Sequence, residues 1–152
     1  MIVALYLIIR HHNLAPNKVK TFNDILTPIE TKILNRLMDI CKEEKVEVRY
    51  YDDLEMLYRE MSDNDINCIG ELGLYVYYPN GRVIIGILDC PVKSYVLGQE
   101  VGHYFVNKTK ENTKEESAES WFNEFLKREL TLKEYDMYNF VYNNALRGLE
   151  VD

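Results

Sequence analysis

Residues 94–130 decide the fold of this chain and read SYVLGQEVGHYFVNKTKENTKEESAESWFNEFLKREL. In the first part, Tyr95, Val96 and Val106 recur at helical spacing, and in the second part a run of aromatic residues does the same. The polar segment 108–113 separates the two patterns. The stretch therefore predicts two consecutive helices joined by a short loop, the second covering about residues 114–128.

Three residues of the first helix carry a chemical pattern. Gln99, Glu100 and His103 occupy the positions of the HExxH motif of zinc peptidases, except that glutamine replaces the first histidine. Residues four apart share one helical face, so the two histidines of that motif reach one metal ion, and the glutamate takes a proton from the metal-bound water. An amide oxygen at position 99 suits zinc less well than an imidazole nitrogen. A solvated glutamate and a satisfied histidine are the plainer interpretation of this short motif.

Composition predicts one globular domain, because 152 residues with 47% hydrophobic side chains are enough to build a core. The net charge of -7, without a Lys/Arg cluster, argues against nucleic-acid binding by the whole surface. Cys41, Cys68 and Cys90 are odd in number and far apart, which predicts free thiols in a reducing compartment. The apolar residues 1–9 are too few to span a bilayer and lack the features of a signal peptide. We therefore expect a cytoplasmic protein.

Local signals outside the motif predict helices around a small antiparallel sheet. Thr27-Pro28-Ile29-Glu30 has the capping-box pattern, which predicts a helix from residue 27 to about 43. Asn80-Gly81 between two β-rich runs predicts a hairpin of residues 68–78 and 82–88. The other expected elements are a buried strand or short helix over 1–10, a polar connection over 13–24, a strand over 46–51, a short helix over 52–61 and a last helix from the second capping box at 131–134. The predicted fold class is α+β, in a single domain covering residues 1–152 with a helical C-terminal half.

The order and spacing of these features resemble the ImmA/IrrE family of metallopeptidases. The likeness covers residues 27–130 and includes the hairpin GLYVYYPNGRVIIGI, the motif helix ending in GHYF, and a following helix of the form ExxA before an aromatic residue. No single motif in this set is specific, but their order is. The resemblance implies a zincin-like metallopeptidase fold, in which the hairpin sheet packs on the motif helix and the core spans about residues 27–130.

The resemblance also implies a metal site and assigns its residues. Carried onto this chain, the second histidine ligand is His103 and the general base is Glu100. The ligand from the next helix is Glu115, with Glu116 or Glu119 in its place if the register is shifted. A solvated glutamate is the alternative for Glu115, because acidic residues are favoured at helix starts in any case.

Gln99 decides the function that we expect. With glutamine in place of the first histidine, zinc binding should be weak or absent, so the first hypothesis is a degenerate peptidase that binds a protein partner. The family resemblance implies that this partner is a phage or mobile-element repressor of the Xre type. We expect no direct nucleic-acid or membrane partner.

Three rivals stay open. One is an active zinc-dependent endopeptidase that holds metal through Gln99, His103 and Glu115, or recruits His11 or His12. Another is a peptidase inactivated by an exchange of histidine for glutamine. The third is a purely structural protein, whose twelve tyrosines serve packing or an exposed binding surface.

Overall fold

The computed structural model describes the backbone of residues 16–61, 71–90, 92–108 and 115–151, and the side chains of residues 26–61, 71–90, 92–108 and 117–143. In this part of the chain five helices and a three-stranded sheet form a mixed, mostly helical structure, which confirms the α+β class. The elements are α1 (Pro16–Glu43), β1 (Val46–Tyr51), α2 (Leu54–Met61), β2 (Gly73–Tyr77), β3 (Val83–Leu88), α3 (Lys93–Lys108), α4 (Glu115–Glu129) and α5 (Leu132–Val151). The element expected over residues 1–10, with His11, His12 and Cys68, lies outside the described residues.

The sheet is mixed rather than antiparallel. Its strand order is β1-β3-β2, with β2 antiparallel to β3 and β1 parallel to β3 in the register Val46↔Val83. The antiparallel expectation is therefore right for the hairpin and wrong for β1. The reason is the long connection between β1 and β3, which contains α2 and gives the chain the crossover that a parallel pair requires. As the central strand, β3 is buried along almost its whole length.

The hairpin turn forms where the sequence predicts it. The Gly81 amide donates to the Tyr78 carbonyl at 2.9 Å, and the Tyr78 amide donates to the Arg82 carbonyl at 2.8 Å. Gly81 has a φ of +88°, a conformation that glycine adopts at little cost. The Asn80 side chain accepts a hydrogen bond from the Arg82 amide at 2.9 Å. The Asn-Gly pair thus closes the β2–β3 connection through both its backbone and its side chain.

The predicted start of the first long helix at Thr27 is wrong, and so is the connection expected over residues 13–24 from residue 16 onward. The helix α1 begins at Pro16 and continues through Pro28, whose ring nitrogen has no proton to donate to the carbonyl of residue 24. Leu26, before the proline, is fully buried, so the apolar face of the helix extends across it. Instead of capping the helix, the side chain of Glu30 enters the core.

Alternate residues of β3 face two different layers, as the pleat of a strand requires. Val83, Ile85 and Ile87 join the main core with α1, α3, α4 and α5, whereas Ile84 joins a smaller cluster with α2. The sheet therefore separates α2 from the other helices. In the described part of the chain, no helix combines the length and the apolar character needed to cross a membrane.

Candidate functional site

The helix α3 carries the motif residues in its middle. Gln99 and Glu100 are only 8% and 9% exposed, and His103 is half-buried. Gln99 and His103 are four residues apart and share one helical face, whereas Glu100 lies about 100° further around the helix. The three side chains therefore cannot all point in one direction, and their surroundings decide what each can do.

Two glycines of α3 bring the ExxA helix into direct contact with the motif helix. A Cβ atom on Gly98 would lie 2.1 Å from the Phe122 ring, and one on Gly102 would lie 2.5 Å from the Ala118 carbonyl oxygen. Gly98 opposes Phe122 and Gly102 opposes Ala118, so α3 and α4 run antiparallel. The backbone of Glu115 consequently begins α4 one turn beyond Ala118, toward the C-terminal end of α3.

A polar cavity of about 440 Å³ lies between α3, α4 and α5. The described residues of its walls supply four carboxamides, aromatic rings, one leucine and one carboxylate: Tyr95, Gln99, Glu119, Phe122, Asn123, Leu126, Tyr135, Asn139 and Asn143. The structure thus brings Gln99 and Glu119 to one cavity. Glu119 is one of the two alternative helix glutamates that the sequence offered.

The amide of Gln99 is incompletely satisfied. Its Oε1 is buried and has no hydrogen-bond partner among the described residues. A buried acceptor without a donor costs about 1–3 kcal/mol, and such groups in folded proteins are usually met by protein, water or ligand. Gln99 is therefore a residue of the cavity lining with an unmet hydrogen-bond acceptor among the described residues.

Glu100 faces the sheet instead of the cavity. A Cβ atom on Gly73 in β2 would lie 3.2 Å from Cγ of Glu100 and 2.6 Å from Cγ1 of Val96. The absence of a side chain at Gly73 lets α3 approach β2 at this point. The predicted base and the predicted first ligand thus lie on two different sides of the helix.

The metal-binding prediction stays a prediction. Glu115 and Glu116 begin α4, and their side chains lie outside those described. Within the described residues, no group of three or more histidine, cysteine, aspartate or glutamate side chains is arranged to hold a metal ion. The convergence of Gln99, His103 and Glu115 therefore remains to be tested.

A buried polar cluster that the sequence did not reveal lies next to the cavity wall. Ser94 donates to Oε2 of Glu30 at 2.5 Å, and Tyr142 donates to the same oxygen. The hydroxyl groups of Ser94 and Tyr138 lie 2.9 Å apart. These four residues join α1, α3 and α5, and the Tyr142 ring stacks at 6.2 Å on Tyr95 in the cavity wall.

Burial sets the ionisation of this cluster. Burial raises the pKa of the Glu30 carboxyl, and the hydrogen bonds from Ser94 and Tyr142 oppose that rise. Burial likewise raises the pKa of the Tyr138 and Tyr142 hydroxyls well above the usual value. Two hydroxyls four residues apart on an apolar helix face were the available signal, but nothing local links them to Glu30.

The C-terminal end of α3 is tied to α1 and to the sheet. Tyr104 donates to Oε1 of Glu44 at 2.9 Å, and Lys108 contacts the same oxygen at 2.5 Å. The bonds from Lys108 and then Tyr104 lower the pKa of the Glu44 carboxyl. Asn107 donates to the Tyr75 hydroxyl at 3.0 Å. These contacts hold the end of α3 against its neighbours.

Comparisons of this chain with protein-family models, with curated proteins and with solved structures found no match. The ImmA/IrrE resemblance therefore rests on the motifs of residues 27–130. The zincin-like form of the fold and the function both remain proposals.

Proposed function

We propose that this chain is a degenerate relative of the ImmA/IrrE metallopeptidases, which acts by binding a protein partner and hydrolyses peptides weakly or not at all. The observation that carries the proposal is the position of Gln99. It occupies the place of the first motif histidine, lines a cavity and has an amide oxygen without a partner among the described residues.

The surroundings of α3 support the zincin-like part of the proposal. A motif helix of the HExxH type needs a rigid wall on one side and a cleft on the other. Here β2 approaches the helix at Gly73, and the cavity with Glu119 opens on another side. The ExxA helix contacts the motif helix at Ala118.

The donor set does not fit zinc well. It offers an amide oxygen from Gln99, the imidazole of His103 and a carboxylate from α4, whereas zinc peptidases of the HExxH type hold the metal with two imidazoles and a carboxylate. Glu100 faces β2, and without a polarised water a glutamate is a poor base. We therefore derive no hydrolytic step.

A protein partner suits the surface of the molecule. On α5, the exposed side chains of Leu132 and Phe140 line one largely apolar groove together with Met137. Aromatic and large apolar side chains on a surface are favoured in protein interfaces. The family resemblance points to a repressor of the Xre type as the class of partner.

The second candidate is an active zinc-dependent endopeptidase. The observation in its favour is that Gln99 and Glu119 reach one cavity while His103 shares the helical face of Gln99. An oxygen-rich site of this kind still binds metal if the remaining ligands hold it firmly.

Zinc content separates the two candidates. We expect little zinc in the unaltered protein purified without chelator, and more in Gln99→His, because that exchange restores two imidazoles on one helical face. Asn35→His, which adds an imidazole to the exposed side of α1, is the control and should change nothing. Stoichiometric zinc in the unaltered protein, lost in His103→Ala, would overturn this expectation and favour the active-enzyme candidate.

Partner binding is tested separately. We expect calorimetry to detect association with a repressor of the Xre type, and mass spectrometry to find that repressor intact afterwards. Cleavage of the repressor by the zinc-free protein would contradict the loss of hydrolysis. Failure of the repressor to associate would remove the proposed partner class.

A further inference from the structure

Four carboxamides line the cavity between α3, α4 and α5, namely Gln99, Asn123, Asn139 and Asn143. A carboxamide presents an acceptor oxygen beside two donor protons. Asn139 and Asn143 are one helical turn apart on α5 and share a face, opposite the contributions from α3 and α4. Such a lining complements a molecule whose edge carries a donor next to an acceptor.

One of these amides is held in place by a hydrogen bond, and another is buried with an oxygen that has no partner among the described residues. Tyr135 donates a hydrogen bond to Oδ1 of Asn123, which fixes the orientation of that amide. Gln99 is more than nine-tenths buried, and its Oε1 has no partner in the described part of the chain. The last torsion of a glutamine side chain is soft, so the Gln99 amide can rotate to meet a ligand in the cavity.

The charge of the described cavity lining disfavours the binding of anionic ligands. Among the described residues that line this cavity, Glu119 is the single charged one, and none is a lysine, an arginine or a histidine. Among these residues a phosphate or carboxylate has no cation to pair with and is repelled by Glu119. Phe122 and Leu126 complete the wall with apolar surface that suits a ring.

We propose that this cavity binds an uncharged nucleobase-type heterocycle, free or as a nucleoside, and rejects its phosphorylated form. The volume of about 440 Å³ is within the range of roughly 300–1,000 Å³ that ligand sites occupy. Asparagine and glutamine pair through two hydrogen bonds with the N6/N7 edge of adenine, which makes adenosine the natural probe. The proposal goes beyond partner binding and concerns the protein without a metal at Gln99 and Glu119.

Calorimetric titration of the full chain with adenosine and with adenosine monophosphate tests the proposal. We expect saturable binding of adenosine and at least tenfold weaker binding of the monophosphate. Asn139→Leu should weaken adenosine binding about tenfold or more, which corresponds to about 1.4 kcal/mol, the size of a hydrogen bond lost from a buried site. Asn35→Leu on the exposed side of α1 is the matched control and should bind as the unaltered protein does.

Two further variants guard against misfolding. Asn143 is exposed at the edge of the cavity, so Asn143→Leu should fold and still weaken binding. Gln99→Met keeps the side-chain length but removes the amide, and should also weaken binding. Thermal unfolding confirms that each variant is folded.

Three results would overturn the proposal. The first is no saturable binding of adenosine or adenine by the unaltered protein. The second is binding of the monophosphate as tight as that of adenosine. The third is full binding retained by Asn143→Leu and Gln99→Met together, which would place the ligand elsewhere on the molecule.

Discussion

Gly102 lies directly against the backbone of Ala118, so that a Cβ atom at position 102 would be 2.5 Å from the Ala118 carbonyl oxygen. A backbone carbonyl cannot rotate aside as the end of a flexible side chain can. This contact therefore sets the spacing between α3 and α4, and with it the width of the cavity that Gln99 and Glu119 share.

Gly102→Ala should destabilise the protein by about 1–3 kcal/mol, because the added methyl group forces the two helices apart. The direction of the stability change is informative, because glycine-to-alanine exchange in an exposed helix increases stability by about 1 kcal/mol. Urea unfolding measures the difference. Ser120→Ala, on the exposed face of α4, is the control and should leave stability nearly unchanged. A Gly102→Ala variant as stable as the unaltered protein would contradict the close approach.

Gln99→Met should raise the free energy of unfolding by about 1 kcal/mol. The exchange removes a buried amide oxygen that lacks a partner among the described residues, and it fills the same space with an apolar chain. The same urea unfolding experiment measures the gain. Lower stability in Gln99→Met would show that the amide is satisfied in the native protein.

Local signals predicted those elements whose structure is determined locally. Asn80-Gly81 closes the hairpin as expected, because the turn is built from a few consecutive residues. The capping box at Thr27 failed for the opposite reason. Its Glu30 is held by Ser94 and Tyr142, which are distant in sequence, and that burial outweighs the local preference for a helix start.

In the candidate site, too, features set by local sequence were predictable and features set by packing were not. Helical periodicity alone places Gln99 and His103 on one face of α3. The contact of Ala118 with that helix became visible only in the structure. The share of α5 in the cavity, through Asn139 and Asn143, was not predictable, because it depends on how α5 packs across α3 and α4. The direction of Glu100 toward β2 likewise follows from packing at Gly73.

The buried carboxyl of Glu30 should make stability depend on pH. Its folded-state pKa is raised above the ordinary value of 4.5 because burial disfavours the charged form. The folded protein therefore holds this proton more tightly than the unfolded chain does. The resulting stability is fully present below pH 4.5 and is lost as the pH rises through the folded-state pKa, at about 1.4 kcal/mol for each pKa unit of difference.

Glu30→Gln removes this dependence while keeping the size and a hydrogen-bonding end of the side chain. We expect the variant to gain stability relative to the unaltered protein as the pH rises from about 4 to about 8, because only the unaltered protein must then bury a carboxylate. Urea unfolding at a series of pH values measures the difference in free energy between the two proteins. Burial keeps the Tyr138 and Tyr142 hydroxyls neutral over this range, so their ionisation does not contribute to the difference in the free energy of unfolding. Glu55→Gln, an exchange at an exposed position of α2, is the control and should show a much smaller trend. A difference for Glu30→Gln that shrinks as the pH rises would mean that the hydrogen bonds from Ser94 and Tyr142 outweigh burial and hold the carboxylate in its charged form.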